Sequence, residues 1–184
     1  MMPSLYKRLL GRTARKGAPL DGSGLISFPI VRALVNRYEV SIVDFGCGLA
    51  QQSRALAEYL RDATVRVQLT LVDTPTLHQE FLLGWGRRAG IATAFLPCTA
   101  ETPIPELPEC DLCQAADFFE HARDPVGYFN RMDEKLAVGG LLISGIMDPE
   151  RDFTHVSPQL GALRQRIVEC GYETVVRERI LRKG

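Results

Sequence analysis

The sequence predicts an α/β fold: a doubly wound, Rossmann-like, mostly parallel sheet with helices on both faces, shortened at its C-terminal end. Three observations predict it. Short apolar runs alternate with stretches of helical periodicity, single helices of about 10–15 residues separate successive runs, and Gly and Pro punctuate the boundaries between elements. One helix between consecutive strands implies right-handed crossovers and a sheet covered on both sides. A chain of 184 residues, 46% of them hydrophobic, is long enough for one substantial core. Residues 1–39 read as a basic N-terminal arm and helical lid segment, and 40–184 as the ligand-binding domain.

The elements come in order along the chain. After a polar Gly- and Pro-containing lead over 17–24, a helix is expected over 29–38 and a strand over 40–44. Ser53, Leu56, Ala57 and Leu60 fall at i, i+3, i+4 and i+7, one buried helical stripe. Residues 65–73 alternate Val65, Val67, Leu69 and Leu71 against Arg66, Gln68 and Thr70, the period of a strand. Thr74-Pro75 supplies an N-cap and a first-turn proline for a helix that repeats Leu77, Phe81 and Trp85 and stops at Gly90.

A third strand is expected over 92–97, a Pro-rich loop over 102–108 and a fourth strand over 111–115. Asp124-Pro125 opens a helix with Val126, Phe129 and Leu136 inside, closed by Gly139-Gly140. Residues 141–146 form the fifth strand, and Ser157-Pro158 opens a last helix with Leu160, Leu163 and Ile167 on one face. A single strand over 172–180 follows, which must either pair directly with the fifth strand, giving six parallel strands, or leave a gap that a partner chain fills. Direct pairing is expected, because an unpaired buried edge is costly.

Composition narrows the function. Acidic and basic residues balance at 22 each, so no overall field draws the protein to nucleic acid or an anionic membrane. Lys7, Arg8, Arg12, Arg15 and Lys16 read as a solvated arm. No apolar run approaches the ~18 residues of a membrane span, and no signal-length stretch comes after the basic residues, so a cytoplasmic protein is expected. The five cysteines are odd in number and scattered, as reduced thiols are. Cys110 and Cys113 form a C-x-x-C, but in a strand positions three apart face opposite ways, so neither a metal site nor a redox pair is expected.

In a doubly wound sheet, ligands bind beyond the carboxyl ends of the strands. The loop after the first strand reads Asp44-Phe45-Gly46-Cys47-Gly48-Leu49-Ala50. Its glycines let a ligand approach the backbone, and the next helix attracts an anion at its N-terminus. A dinucleotide fingerprint needs glycine where Gln51 stands, and Asp44 would repel a pyrophosphate while pairing with an ammonium group. Asp73, 29 residues beyond Asp44, ends the next strand and can accept both hydroxyls of a ribose. The ligand implied has an amino-acid end and a nucleoside end. The plainer alternatives are a helix cap for Asp44 and an ordinary strand-end acid for Asp73.

The segments VDFGCGLA, LVDTP, TAETPIPELPECDLCQAADFFEHARDP and LAVGGLLISGIMD, in this order over about residues 40–170, resemble the class I S-adenosylmethionine-dependent methyltransferases of the small-molecule type. The resemblance implies S-adenosyl-L-methionine as cofactor, its methionine end held by Asp44, Gly46 and Gly48 and its ribose by Asp73 with Thr74. It implies adenine framed by Thr99 and Ala100 with Glu101, and Gln114 with Ala115 lining the methyl-bearing sulfur. Two positions depart from the pattern: Ala50 replaces a frequent third glycine, and Thr99 replaces an aspartate that accepts from the adenine amino group.

His155 and His121 are the candidate catalytic residues. His155 precedes the last helix, where small-molecule members carry a histidine, and Glu120-His121 matches a pair after the fourth strand. Nucleic-acid methylation loses its central residues: Ala115-Ala116-Asp117-Phe118 stands where an amino-methylating relative has (D/N/S)-P-P-(Y/F/W), and Pro97-Cys98 comes after the third strand, not the fourth. Asp117 and Asp148 end adjacent strands and could share a divalent cation, but strand-end aspartates commonly cap helices, and no metal is assigned. The reaction expected is O- or N-methylation of a small molecule. The rivals are a non-catalytic S-adenosylmethionine-binding scaffold of the same fold and a nicotinamide oxidoreductase, the latter disfavoured by Gln51 and Asp44.

Overall fold

The computed structural model describes residues 30, 33–144, 159–176 and 179–184. Within them the order is β1 (Glu39–Phe45), α1 (Gln51–Asp62), β2 (Arg66–Asp73), α2 (His78–Ala89), β3 (Ala92–Pro97), β4 (Cys110–Gln114), a short 3-10 turn (Phe119–His121), α3 (Pro125–Lys135), β5 (Leu136–Ile143), α4 (Leu160–Glu169), β6 (Glu173–Val176) and β7 (Ile180–Arg182). The described strands form one mixed sheet in the order β3-β2-β1-β4-β5-β7-β6. The first five are parallel, and the order reverses between β1 and β4, which pair directly. That switch point opens the crevice in which a ligand can sit.

Two apolar layers hold the helices on. Val40, Ile42, Leu69, Leu71 and Leu112 face Leu56, Ala57 and Leu60 of α1 and Leu82 of α2, with Ile30 and Leu34 packed in the same layer. Val43, Phe45, Val72 and Leu142 face Phe129 and Met132 of α3 and Leu160, Leu163 and Ile167 of α4. The expected stripes of α1 and α4 are the stripes observed.

The C-terminal end departs from expectation. The single parallel strand over 172–180 is two strands: β7 runs antiparallel to β5, with Leu142 opposite Leu181 and Ile143 opposite Ile180, and β6 runs antiparallel to β7. The sheet therefore has seven described strands rather than six parallel ones. The apolar pattern is interrupted by Arg177-Glu178-Arg179 in the sequence, and the Arg179 N–H donates to the Val176 carbonyl at 3.1 Å, closing a hairpin there. A three-residue strand is enough because its neighbours supply the rest of the pairing.

Three local readings also change. α2 begins at His78 without a side-chain cap, so Thr74-Pro75 does not start it. It buries Leu82 and Gly86, while Leu77 is 94% and Phe81 46% exposed. A Cβ on Gly86 would collide with Thr93 Oγ1, so the helix presses its glycine against β3, while Trp85 of the expected stripe packs partly buried against the core. Next, α3 stops at Lys135 and β5 starts at Leu136, which places Gly139-Gly140 inside the strand, where Gly139 N–H donates to Lys183 and the Lys183 N–H to Gly140. Finally, Cys110 and Cys113 lie in the same apolar layer rather than on opposite faces. The register of β4 against β5 shifts between Cys110 and Leu112. A hydrogen bond with Cys110, followed by burial, holds the Cys113 thiol well above its ordinary range.

The chain end is tied down by a polar cluster under α3. Lys183 Nζ lies 3.2 Å from Asp133 Oδ1 and donates to the carbonyls of Asp133 at 2.5 Å and Leu136 at 3.1 Å, while the Tyr172 hydroxyl donates to Asp133 Oδ1 at 3.0 Å. The cation thus sits on the unsatisfied carbonyls of a helix C-terminus. With a lysine side chain only 19% exposed, Lys183→Ala is expected to cost about 1–2 kcal/mol. That corresponds to a Tm lower by about 3–6 °C for a chain of this size. An unchanged Tm in a thermal melt would show the cluster to be idle.

Candidate functional site

β1, β2, β3 and β4 all deliver their carboxyl ends to one edge, and the site is built from these ends and the turns that leave them. Asp44 points to the α1 side of the sheet and is 3% exposed. Ser53 Oγ, in the first turn of α1, donates to its Oδ2 at 2.5 Å. Burial pushes the Asp44 carboxyl up to about 7, the Ser53 hydrogen bond acts against this, and the charge of Asp73 adds to it. Such a carboxyl is poised to ionise when a cation arrives.

The turn after β1 is fastened to β2. Gly46 and Cys47 N–H both donate to the Val72 carbonyl, at 2.8 and 3.2 Å. Gly46 (φ +67°) lies against Phe118: a Cβ there would be 2.7 Å from the ring Cδ2. Gly48 (φ +49°) is different, because a Cβ there would meet nothing within 4 Å. One glycine serves close packing and the other faces open space. Ala50 also takes a left-handed conformation, with φ 51°, so the position of the missing third glycine is one where glycine would relieve about 1–2 kcal/mol of backbone strain. Ala50 makes no side-chain cap for α1, which leaves first-turn N–H groups for an anionic group.

Asp73 faces this turn from β2. Its Oδ2 accepts the Gly48 N–H at 2.7 Å and its Oδ1 the Thr74 N–H at 2.7 Å, with the Thr74 hydroxyl at 3.3 Å. Both oxygens are held in place by backbone donors and keep further lone pairs for a ligand. The Cys98 N–H donates to the Asp73 carbonyl at 2.8 Å, bringing in the loop after β3. There the Thr99 hydroxyl accepts the Thr102 N–H at 3.0 Å, and Thr99 N–H donates to the Thr102 carbonyl at 3.1 Å. The backbone N–H of Glu101, and then the Thr99 hydroxyl, hold the exposed Glu101 carboxyl below its ordinary range. Ala100 is exposed in the same turn.

On the other side of β1, Gln114 is paired with Asp44 in the β1–β4 register and is buried. The structure thus brings Asp44, Gly46, Gly48, Asp73, Thr74, Thr99, Ala100 and Gln114 to one edge of the sheet. His121 lies on the 3-10 turn beyond β4 and is exposed, while its neighbour Glu120 is buried. His155 and Asp148 lie outside the described residues. Among the described residues no three His, Cys, Asp or Glu side chains gather into a metal-binding group.

Four site neighbours escape the sequence reading. Ser53 counts as part of a buried stripe, although a hydroxyl inside an apolar stripe nine residues after a strand-end acid is a signal of pairing. Cys98 is half-buried beside Asp73, and burial followed by that charge pushes its thiol up to about 11. Phe118, which lies on Gly46, and Tyr128, which meets Phe118 and Phe45, carry no motif of their own.

No family model matches the sequence, and no curated protein matches it by sequence. Solved structures do match in fold. One, provisionally assigned as a class I S-adenosylmethionine-dependent methyltransferase from Listeria monocytogenes, aligns with a TM-score of 0.63 at 14% identity over 88% of this chain and 59% of its own. Coclaurine N-methyltransferase, bound to N-methylheliamine and S-adenosylhomocysteine, aligns with a TM-score of 0.54 at 17% identity over 70% of this chain and 37% of its own. The cyclase SpnF aligns with a TM-score of 0.50 at 20% identity over 65% of this chain and 43% of its own. The chain therefore spans less than two thirds of the length of each of these proteins. It has the fold of the class I S-adenosylmethionine-dependent methyltransferases.

Proposed function

We propose that the protein binds S-adenosyl-L-methionine and transfers its methyl group to the oxygen or nitrogen of a small-molecule acceptor. The observation that carries the proposal is the Asp73 carboxylate, fixed by the Gly48 and Thr74 N–H groups at 2.7 Å each beside open space over Gly48. The site residues fit a ligand with a zwitterionic end and a diol. Asp44 takes the ammonium group and the first turn of α1 the carboxylate. Asp73 with Thr74 takes the ribose, the turn at Thr99 and Ala100 borders the adenine, and Gln114 lies on the sulfur side. When bound, the cofactor supplies a methyl group made electrophilic by a sulfonium.

The chain's own contribution is positioning. Rigid strand ends hold the two carboxylates, and Phe118 closes the turn from the α3 side. His155 and His121 are the proposed bases if the acceptor is a hydroxyl. A cytoplasmic location, and partners limited to a small molecule with no nucleic acid or membrane, belong to the same proposal. The balanced charge supports it, as does the finding that no helix among the described residues is long and apolar enough to cross a membrane.

A second reading, a cofactor-binding protein that transfers no methyl group, rests on SpnF: a protein named as a cyclase shares the fold. Both readings predict binding of S-adenosylhomocysteine, and neither predicts binding of NAD. Isothermal calorimetry checks the shared step, and NAD binding in place of S-adenosylhomocysteine would overturn both. Release of S-adenosylhomocysteine on incubation with fractionated metabolites separates them.

A further inference from the structure

Tyr128 lies at the start of α3 and touches two parts of the site, the aromatic group at the glycine turn and the loop after β3. The Asp124 cap fixes its helix, with Oδ1 accepting the Gly127 N–H at 2.8 Å and the Asp124 carbonyl accepting the Tyr128 N–H at 3.1 Å. From there the ring meets Phe118 edge-on, with centroids 5.0 Å apart at 83°, and Phe45 at 5.4 Å and 75°. Phe118 also tilts against Phe45 at 4.9 Å and lies on Gly46, where a Cβ would be 2.7 Å from its ring. At the other end, the Tyr128 hydroxyl donates to the Pro103 carbonyl at 2.9 Å. Pro103 comes directly after the Thr99–Thr102 turn, and that turn hangs from Asp73 through Cys98. Cys98, Phe118 and Tyr128 all pack against the same apolar layer.

We infer that Tyr128 is a positioning residue for the cofactor, whose ring sets the methionine-side turn through Phe118 and whose hydroxyl sets the adenine-side loop through Pro103. The inference rests on the cofactor reading above. It acts at a distance: the ring fixes Phe118 on Gly46 and so the height of the glycine turn, while the hydroxyl pins the loop at Pro103, between the Thr99–Thr102 turn and the buried Leu107. The two functions sit on different atoms of one side chain. They can therefore be removed one at a time.

Two variants and two probes test it. S-adenosylhomocysteine engages both ends, whereas 5′-methylthioadenosine keeps the nucleoside and lacks the amino-acid end. Tyr128→Phe keeps the ring and is expected to weaken both probes equally, by about 3- to 10-fold, the worth of one hydrogen bond. Its Tm should stay within about 2 °C of the parent, since the lost bond is at the surface. Tyr128→Leu removes the ring as well, and is expected to weaken S-adenosylhomocysteine by a further 3-fold or more while methylthioadenosine falls no lower than in Tyr128→Phe. Y128F binding both probes within twofold of the parent overturns the inference, as does Y128L weakening both probes alike. If Y128L does not fold, the Y128F arm decides alone. A parent protein that binds neither probe overturns the cofactor reading itself, and is told apart because no variant is needed to see it.

Discussion

Asp73→Ala is expected to weaken S-adenosylhomocysteine binding by about 100-fold while leaving the chain folded. The carboxylate is half-buried and accepts from Gly48 and Thr74 at 2.7 Å each, so a ligand diol would find it already oriented. A charge-assisted hydrogen bond contributes about 1.5–3 kcal/mol, and each 1.4 kcal/mol is a factor of ten. Truncation also leaves the Gly48 N–H without its acceptor, which loosens the glycine turn itself. Asp73→Asn should be nearly as damaging, despite matching in size. Both carboxylate oxygens accept backbone donors here, so an amide must turn its own N–H₂ toward one of them and lose that contact. Calorimetry on the two variants checks this, and affinity within threefold of the parent in either would show that the diol binds elsewhere.

The parallel half of the fold is legible because each of its elements declares itself locally. β2 alternates, β3 is bounded by Gly90 and the Pro-rich loop, and α1 carries an unbroken stripe from Ser53 to Leu60. What escapes is decided by neighbours. Hydropathy makes Leu77, Phe81 and Trp85 the inner face of α2, yet contact with Thr93 favours Gly86, because close approach of helix and sheet outweighs the burial of two large side chains. The C-terminal hairpin is hidden in the same way: a three-residue β7 has no period of its own, and only β5 and β6 on either side make it a strand. In the candidate site, the proposed residues on strand ends and glycine turns are those marked by spacing. Ser53, Phe118 and Tyr128 are not, since their roles depend on contacts made across loops, such as the one that joins Tyr128 to Pro103.

Asp44 should make both stability and ligand binding depend on pH, in opposite senses. Its folded pKa is raised from 3.8 to about 7, chiefly by burial. A carboxyl whose pKa rises on folding contributes stability that is fully present below the unfolded pKa and lost as pH climbs through the folded one. The free protein should therefore lose stability between about pH 4 and pH 7 and level off above, by an amount on the order of 4 kcal/mol for a shift of this size. Asp44→Asn removes the buried charge and should melt at a higher temperature than the parent at pH 7.5, with little difference at pH 4. Binding runs the other way. An ammonium group beside Asp44 favours the carboxylate, so S-adenosylhomocysteine should bind about 10- to 30-fold more tightly at pH 7.5 than at pH 5.5, releasing close to one proton at the lower end. Calorimetry in buffers of different ionisation enthalpy reads that proton directly. In Asp44→Asn the proton release should vanish and affinity should be low and flat across the range. A parent protein whose affinity is itself flat from pH 5.5 to 7.5 would mean that Asp44 never meets the ammonium group and serves only to hold Ser53 and the start of α1.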